Sequence, residues 1–312
     1  MLLSTRDLFR QCYSRYGIAA VNVEFMEQIH GLFAAAQHAN APFIVQTTPV
    51  ARDYAGADML MAMISSAAKM YPKTVFAIHL DHGNETHIHD AISSKAYTSV
   101  MIDASHDPFD KNIERTKAVV VKAHIYDVAV EAELGVLSGV EDDISVDERK
   151  AFYTDPVQVE DFVKATSCDC LAVAVGTSHG AYKFSGGQGI QFDILEDIQH
   201  RLPEYPLVLH GGSMVDQSEI ERINAAGGRL RSGAKGVDPE ELKKSIQHGV
   251  CKINIATDTR LLWTRVIREY FRDQPEEFAP IKPGEIYMEE YQKFMLKKFD
   301  LLGATGKVVD FN

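Results

Sequence analysis

No apolar stretch in this 312-residue chain reaches the roughly 18 residues that a bilayer-spanning helix needs, so no membrane partner is expected. Basic residues are scarce as well. The 32 Lys and Arg are outnumbered by 44 Asp and Glu, giving a net charge of −12. Nucleic acid, whose phosphates attract clustered cations, is therefore not an expected partner. A phosphate ligand has to be met by local amides and a few cations, because the global field is repulsive. Cysteine is sparse, and the Cys168-Asp169-Cys170 spacing matches no recognised zinc or redox motif. Cys12, Cys168, Cys170 and Cys251 read as small buried hydrophobes, which fits a reducing cytoplasm. The start, Met1-Leu2-Leu3-Ser4-Thr5-Arg6-Asp7, is too short and too charged for a signal peptide. Two further absences concern the first candidate strand. It ends Val21-Asn22-Val23-Glu24 without the G-x-G-x-x-G of an open dinucleotide-binding sheet, and without the His-x-His that opens many metal-dependent barrel hydrolases.

What the chain does contain is a regular alternation. Short apolar, mostly β-branched runs at 18–24, 42–48, 75–81, 99–103, 127–134, 170–176, 206–210 and 250–256 read as strands. Amphipathic segments at 26–40, 56–71, 86–96, 109–124, 155–166, 193–202 and 216–227 read as helices. Asp155-Pro156 marks one helix start, and Ser218 three residues before Glu221 marks another. Eight strand–helix units predict a single α/β domain over 1–312, a closed TIM (β/α)8 barrel with extra C-terminal helices over about 261–312. Long insertions at 135–155 and 180–189 follow C-terminal strand ends, where lids often lie. The C-terminal segment carries Trp263, Tyr270, Phe271, Tyr287, Tyr291 and Phe294, more apolar surface than one closing helix needs. A subunit interface is expected there, in a homodimer or a dimer of dimers.

Active sites of such barrels form at the C-terminal strand ends. Those ends read His79-Leu80-Asp81-His82-Gly83, Gly176-Thr177-Ser178-His179-Gly180, His210-Gly211-Gly212-Ser213 and Asn254-Ile255-Ala256-Thr257-Asp258. His82, His179 and His210 lie at or just past these ends, and three neutral imidazoles with an open position make a catalytic zinc site. His30, His38, His124, His200 and His248 fall on helix-like segments, and His87 and His89 read as helix-start residues. Asp81 and His82 are adjacent, so both can face one site only if the chain turns there, which Gly83 permits. His79, on the parity of Asp81, should pack beneath the site. Glu131 and Glu133 share one face of the fifth strand and can bind or orient a metal ligand. Glu141 is either part of a solvated acidic loop or a mobile acid for proton transfer. The Gly211-Gly212 turn is either a plain chain reversal or, with the turn after the eighth strand, a phosphate cradle that Lys183 can supplement.

Together with Asp103-Ala104-Ser105-His106, Glu131-Ala132-Glu133-Leu134-Gly135 and Ala20-Val21-Asn22-Val23, these motifs resemble the class II fructose-bisphosphate aldolases over nearly the whole chain. The resemblance implies a zinc-dependent, reversible cleavage of a ketose bisphosphate to dihydroxyacetone phosphate and a triose phosphate aldehyde. It implies zinc on His82, His179 and His210, with Asp103 and Glu133 as carboxylates of an alternative metal position. Asp81 matches the acid that takes the C4 hydroxyl proton. Glu141 matches the acid that exchanges the proton on dihydroxyacetone phosphate. Thr48 and Asn254 match groups around the enediolate, and Asn22 and Asp258 fall among the substrate contacts. Gly180, Lys183, Gly211, Ser213 and Thr257 match the phosphate pocket, whose Gly180 and Gly211 carbonyls can hold Na+ or K+. Arg260 matches the arginine for the far phosphate, in some members reached across a dimer. Fructose 1,6-bisphosphate is the expected substrate. Ala256 stands where many fructose enzymes carry Asp and tagatose-bisphosphate aldolases often carry Ala, so tagatose bisphosphate remains the alternative. Met214 replaces a commoner small residue. A Schiff-base aldolase acting through Lys252, the only plausible strand lysine, and a non-catalytic sugar-phosphate sensor are the rival readings.

Overall fold

Strands that are apolar on both faces belong between two layers, and each of the eight predicted runs forms one. In chain order they are β1 (Ile18–Asn22), β2 (Phe43–Thr47), β3 (Phe76–Gly83), β4 (Ser99–Ile102) and β5 (Ala129–Leu134). After a hairpin of β6 (Gly139–Glu141) and β7 (Ile144–Val146) come β8 (Cys170–Val173), β9 (Leu207–Leu209) and β10 (Val250–Ile255). The structure is a computed structural model and describes residues 1–137, 139–141, 144–146, 152–178, 189–231, 233 and 236–311, giving the backbone alone for 139–141 and 144–146. The eight strands other than the hairpin close in the order β1-β10-β9-β8-β5-β4-β3-β2. Every pairing is parallel. This is a TIM barrel, as predicted.

Around it lie α1 (Thr5–Cys12), α2 (Met26–Ala39), α3 (Pro49–Ala55), α4 (Ala57–Met70), α5 (Glu85–Ser94), α6 (Phe109–Ile125), α7 (Pro156–Thr166), α8 (Phe192–Arg201), α9 (Gln217–Ala225), α10 (Pro239–Gln247), α11 (Thr257–Asp273) and α12 (Ile281–Leu301). Asp155 caps α7 by accepting from Val157 N at 2.9 Å, with Pro156 in the first turn as expected. The Ser218–Glu221 start signal is corrected. Asp216 is the cap of α9, accepting from Ser218 N at 2.8 Å, so Ser218 already lies inside the helix. Asp caps as well as Ser and stands two residues earlier. The sequence reading gave no place to α1, which buries Leu8, Phe9 and Cys12, or to α10, which buries Leu242 and Ile246. All four cysteines are free and buried.

The C-terminal aromatics divide. α12 packs along α2, and Gly31 makes this approach possible, since a Cβ there would stand 2.9 Å from the Tyr291 ring. Tyr287, Tyr291 and Phe299 are thus spent on the protein's own core. Trp263 stays 41% exposed beside Phe25. The surplus apolar surface read from the sequence is smaller than its aromatic count implied.

Candidate active site

The upper half of the barrel interior is polar where branched apolar side chains usually fill it. Register places Asn22 opposite Gln46, Gln46 opposite His79, and Ala20 opposite Asn254. Asp81 sits fully buried among them. Its Oδ2 accepts from Asn22 Nδ2 and Gln46 Nε2, each at 3.2 Å, and its Oδ1 accepts from Asn254 Nδ2 at 3.1 Å. The Lys252 ammonium lies 3.8 Å from the same Oδ1. Gln46 also donates to Asn22 Oδ1, tying the amides to one another. The carboxylate is therefore held in one orientation by side chains from three other strands.

His82 reaches the same side as Asp81 because the backbone turns at His82 itself, which has φ 46°. This corrects the assignment of the turn to Gly83. Gly83 closes β3 instead, where a Cβ would crowd Ile88 and Leu80 at 2.7 and 2.8 Å. A non-glycine residue with positive φ is uncommon and is retained where its surroundings demand it. Here the ladder between β3 and β4 slips across Leu80–Gly83, which accommodates the turn.

His82 Nε2 and His210 Nδ1 face each other at 3.0 Å with their rings at 87°. Each ring is engaged at its other nitrogen by a carboxylate. His210 Nε2 donates to Glu131 Oε1 at 2.9 Å, and His82 Nδ1 stands 3.4 Å from Asp103 Oδ2. A proton on each outer nitrogen leaves the two facing nitrogens with their lone pairs, the tautomer choice that suits metal-binding imidazoles. Burial lowers the pKa of His210 despite Glu131, which favours the neutral, coordinating form. Asp81, His82 and His210 offer ligand atoms within 4.8 Å of one another, and so do His82, Asp103 and Glu133. A soft-to-borderline divalent cation such as zinc fits this donor set.

Beneath it, Lys252 donates to Glu131 Oε2 at 2.7 Å and stands 3.4 Å from His79 Nε2, all three side chains fully buried. His79 Nδ1 bonds Ser99 Oγ at 2.7 Å. Burial alone would lower the pKa of Lys252, but the Glu131 and Asp81 carboxylates raise it overall. Burial would likewise raise that of Glu131, but Lys252 and His210 hold it well below the usual range. The two carboxylates thus favour Lys252 as a buried cation, the opposite of the neutral amine that Schiff-base chemistry requires.

The glycine turn after β9 is built for close backbone approach. Gly211 has φ 64°, and a Cβ there would lie 2.4 Å from Ser178 O. Thr177 Oγ1 donates to His210 O at 2.7 Å. The chain leading to His179 therefore lies against His210 and Gly211. His179, Gly180 and Lys183 themselves lie outside the described residues, as does the side chain of Glu141, whose backbone ends β6 opposite Ile144. Thr257 opens α11, which no side chain among the described residues caps. Its first amides and positive dipole end suit an anion.

The sequence-predicted residues thus separate. Asn22, Asp81, His82, Asp103, Glu133, His210 and Asn254 are drawn together. Thr48 caps α3, accepting from Ala51 N at 3.2 Å. Arg260 pairs with Glu24 at 2.6 Å. Asp258 is engaged by Met214 N, Val215 N and Lys298. Gln46 was missed, since in Phe43-Ile44-Val45-Gln46-Thr47 it reads as an ordinary strand residue. Its position in register beside Asn22 was the signal that could have found it.

A family model described as fructose-bisphosphate aldolase class-II matches residues 3–229 and 230–307. A protein of Helicobacter pylori (strain ATCC 700392 / 26695) named fructose-bisphosphate aldolase is 38% identical, over 99% of this chain and all of its own length. One of the same name from Thermus caldophilus is also 38% identical, over 98% of this chain and all of its own length. Among solved structures, the YdjI aldolase of Escherichia coli K12 superposes with a TM-score of 0.79 at 28% identity, covering 99% of this chain and 100% of that one.

Proposed function

The chain belongs to the class-II fructose-bisphosphate aldolase family, and we propose from that membership that it cleaves fructose 1,6-bisphosphate reversibly to dihydroxyacetone phosphate and glyceraldehyde 3-phosphate, as a step of glycolysis and gluconeogenesis. The observation that carries the reading is the pair of imidazole nitrogens facing each other at 3.0 Å beside the fixed carboxylate of Asp81. His82, His210 and His179, with Asp103 and Glu133 as an alternative set, would hold zinc, which when bound would supply positive charge against the charge that develops as C3–C4 breaks. Asp81 takes the C4 hydroxyl proton at one of its oxygens, and the amides of Asn22, Gln46 and Asn254 keep that carboxylate from rotating. Glu131 and Asp103 keep the imidazoles in their coordinating tautomers. Glu141 exchanges the carbon-bound proton on dihydroxyacetone phosphate from the loop after β5. Gly180, Lys183, Gly211, Ser213 and Thr257 hold that product's phosphate, fixing the reacting carbons in place. Na+ or K+ on the Gly180 and Gly211 carbonyls belongs to the same pocket. Thr48, Asn22 and Asn254 line the substrate, and Arg260, now paired with Glu24, reaches the far phosphate.

The chain acts as one barrel domain over 1–312 in the cytoplasm, as a homodimer or dimer of dimers. The exposed Trp263 and the position of Arg260 on the same helix support an interface there. No helix of the described residues is long and apolar enough to cross a membrane. The relatives' shared name favours fructose over tagatose bisphosphate.

A coupled assay tests this reading. Fructose 1,6-bisphosphate is cleaved, EDTA abolishes turnover, and Zn2+ restores it. Borohydride with substrate leaves no adduct on the protein, because Lys252 stays charged. Chelator-resistant turnover with an adduct on Lys252 overturns the assignment in favour of Schiff-base chemistry.

A further inference from the structure

Asp258 accepts hydrogen bonds from three groups, two of them backbone amides just past the Gly211-Gly212-Ser213 turn. Its Oδ2 accepts from Met214 N at 3.0 Å and from the Lys298 ammonium at 2.8 Å, and its Oδ1 accepts from Val215 N at 2.8 Å. Asp258 and Lys298 are both buried. Met214 and Val215 directly continue the Gly211-Gly212-Ser213 turn, and Val215 has φ 48°. A β-branched residue in the left-handed region is a genuine outlier, which persists only where its surroundings over-determine it. The two amide bonds to Asp258 supply part of that constraint. Gly236 adds to it, since its backbone packs so tightly on Met214 that a Cβ would lie 2.1 Å from Met214 C, and Gln217 Nε2 donates to Val215 O at 3.3 Å. Asp258 also sits in the first turn of α11, one residue after Thr257. One carboxylate therefore ties Met214 and Val215, which follow the Gly211-Gly212-Ser213 turn, to the first turn of α11 beside Thr257. Its counter-charge comes from Lys298 on α12.

We infer that Asp258 and Lys298 form a clamp that sets the geometry of the dihydroxyacetone phosphate pocket, so that Lys298, on the last turns of α12, is a positioning residue for the binding of that triose and not of its aldehyde partner. The inference rests on the reading of Gly211, Ser213 and Thr257 as the phosphate pocket. An ion pair that served folding alone would not distinguish the two substrates. Loss of the ammonium leaves a buried carboxylate without a counter-charge. The carboxylate is then neutralised by the Met214 and Val215 amides alone, and it shifts with them relative to Thr257, so that the two sides of the pocket no longer keep their spacing.

The test is kinetics in the condensation direction, where the two triose phosphates are varied independently. KM does not depend on the fraction of enzyme that is folded, so a partly unstable variant is still readable. Lys298→Met is expected to raise the KM for dihydroxyacetone phosphate at least tenfold and to leave that for glyceraldehyde 3-phosphate within twofold, with Lys298→Arg restoring most of the difference. Asp258→Asn, which keeps an acceptor but removes the charge, is expected to show the same selectivity. Equal changes in both constants, or none, overturn the clamp. Ser213→Ala and Thr257→Val separate this from the parent reading. If they leave the KM for dihydroxyacetone phosphate unchanged, the pocket assignment itself is wrong. If they raise it and the two clamp variants do not, only the clamp fails.

Discussion

Asp81→Ala is expected to lower kcat for cleavage of fructose 1,6-bisphosphate by about 10²- to 10⁴-fold, the range that a positioned proton acceptor supplies, while the protein still binds zinc. The side chain is fully buried, and three amides from β1, β2 and β10 hold its two oxygens. Its ligand atoms also lie within 4.8 Å of those of His82 and His210, so the variant distinguishes two roles. Normal metal content with lost turnover assigns proton transfer. Lost metal, with turnover recovered in excess Zn2+, makes Asp81 a ligand and removes it from the chemistry.

The second large effect falls on stability. Lys252 is a fully buried ammonium between Glu131 at 2.7 Å and Asp81 at 3.8 Å. Lys252→Met keeps the volume but leaves two buried carboxylates without their counter-charge, which costs about 3–5 kcal/mol. Urea titration of the metal-free protein should show this as a matching loss of unfolding free energy. The double variant Lys252→Met/Glu131→Gln should lose less than the sum of its parts, because removing both charges is milder than removing one. Glu131→Gln alone should also weaken zinc binding about 10- to 100-fold through the hydrogen bond to His210 Nε2. If Lys252→Met costs less than about 1 kcal/mol, the buried pair is not the counterweight described here.

The barrel was legible because its signal is periodic and local. Each strand is a short apolar run, each ends at polar residues, and the connections are amphipathic. Asp81, His82 and His210 were legible for a related reason, since position at a strand end marks a side chain as facing the mouth. What remained hidden was relational. Glu131 was seen as a possible orienting acid, but which histidine it serves depends on strands 79 residues apart in the chain. Lys252 was weighed only as a nucleophile, because its charge state follows from neighbours on β3 and β5. Gln46 matters only through its register with Asn22. Asp258 looked like a substrate contact because it follows Thr257, whereas its partner Lys298 lies 40 residues away on another helix. The turn at His82 was placed at Gly83 because glycine is the residue that usually permits positive φ. Sequence pattern cannot show when a histidine takes that conformation instead.

On the proposed function, His82 and His210 converge on one divalent ion. The most direct test of that convergence is a crystal of the zinc-loaded protein with an anomalous difference map at the zinc edge. The account predicts one dominant peak between the two rings, with His82 Nε2 and His210 Nδ1 each about 2.0–2.1 Å from it. A peak elsewhere, or one between the rings that is bound through His210 Nε2 with Glu131 displaced, contradicts it.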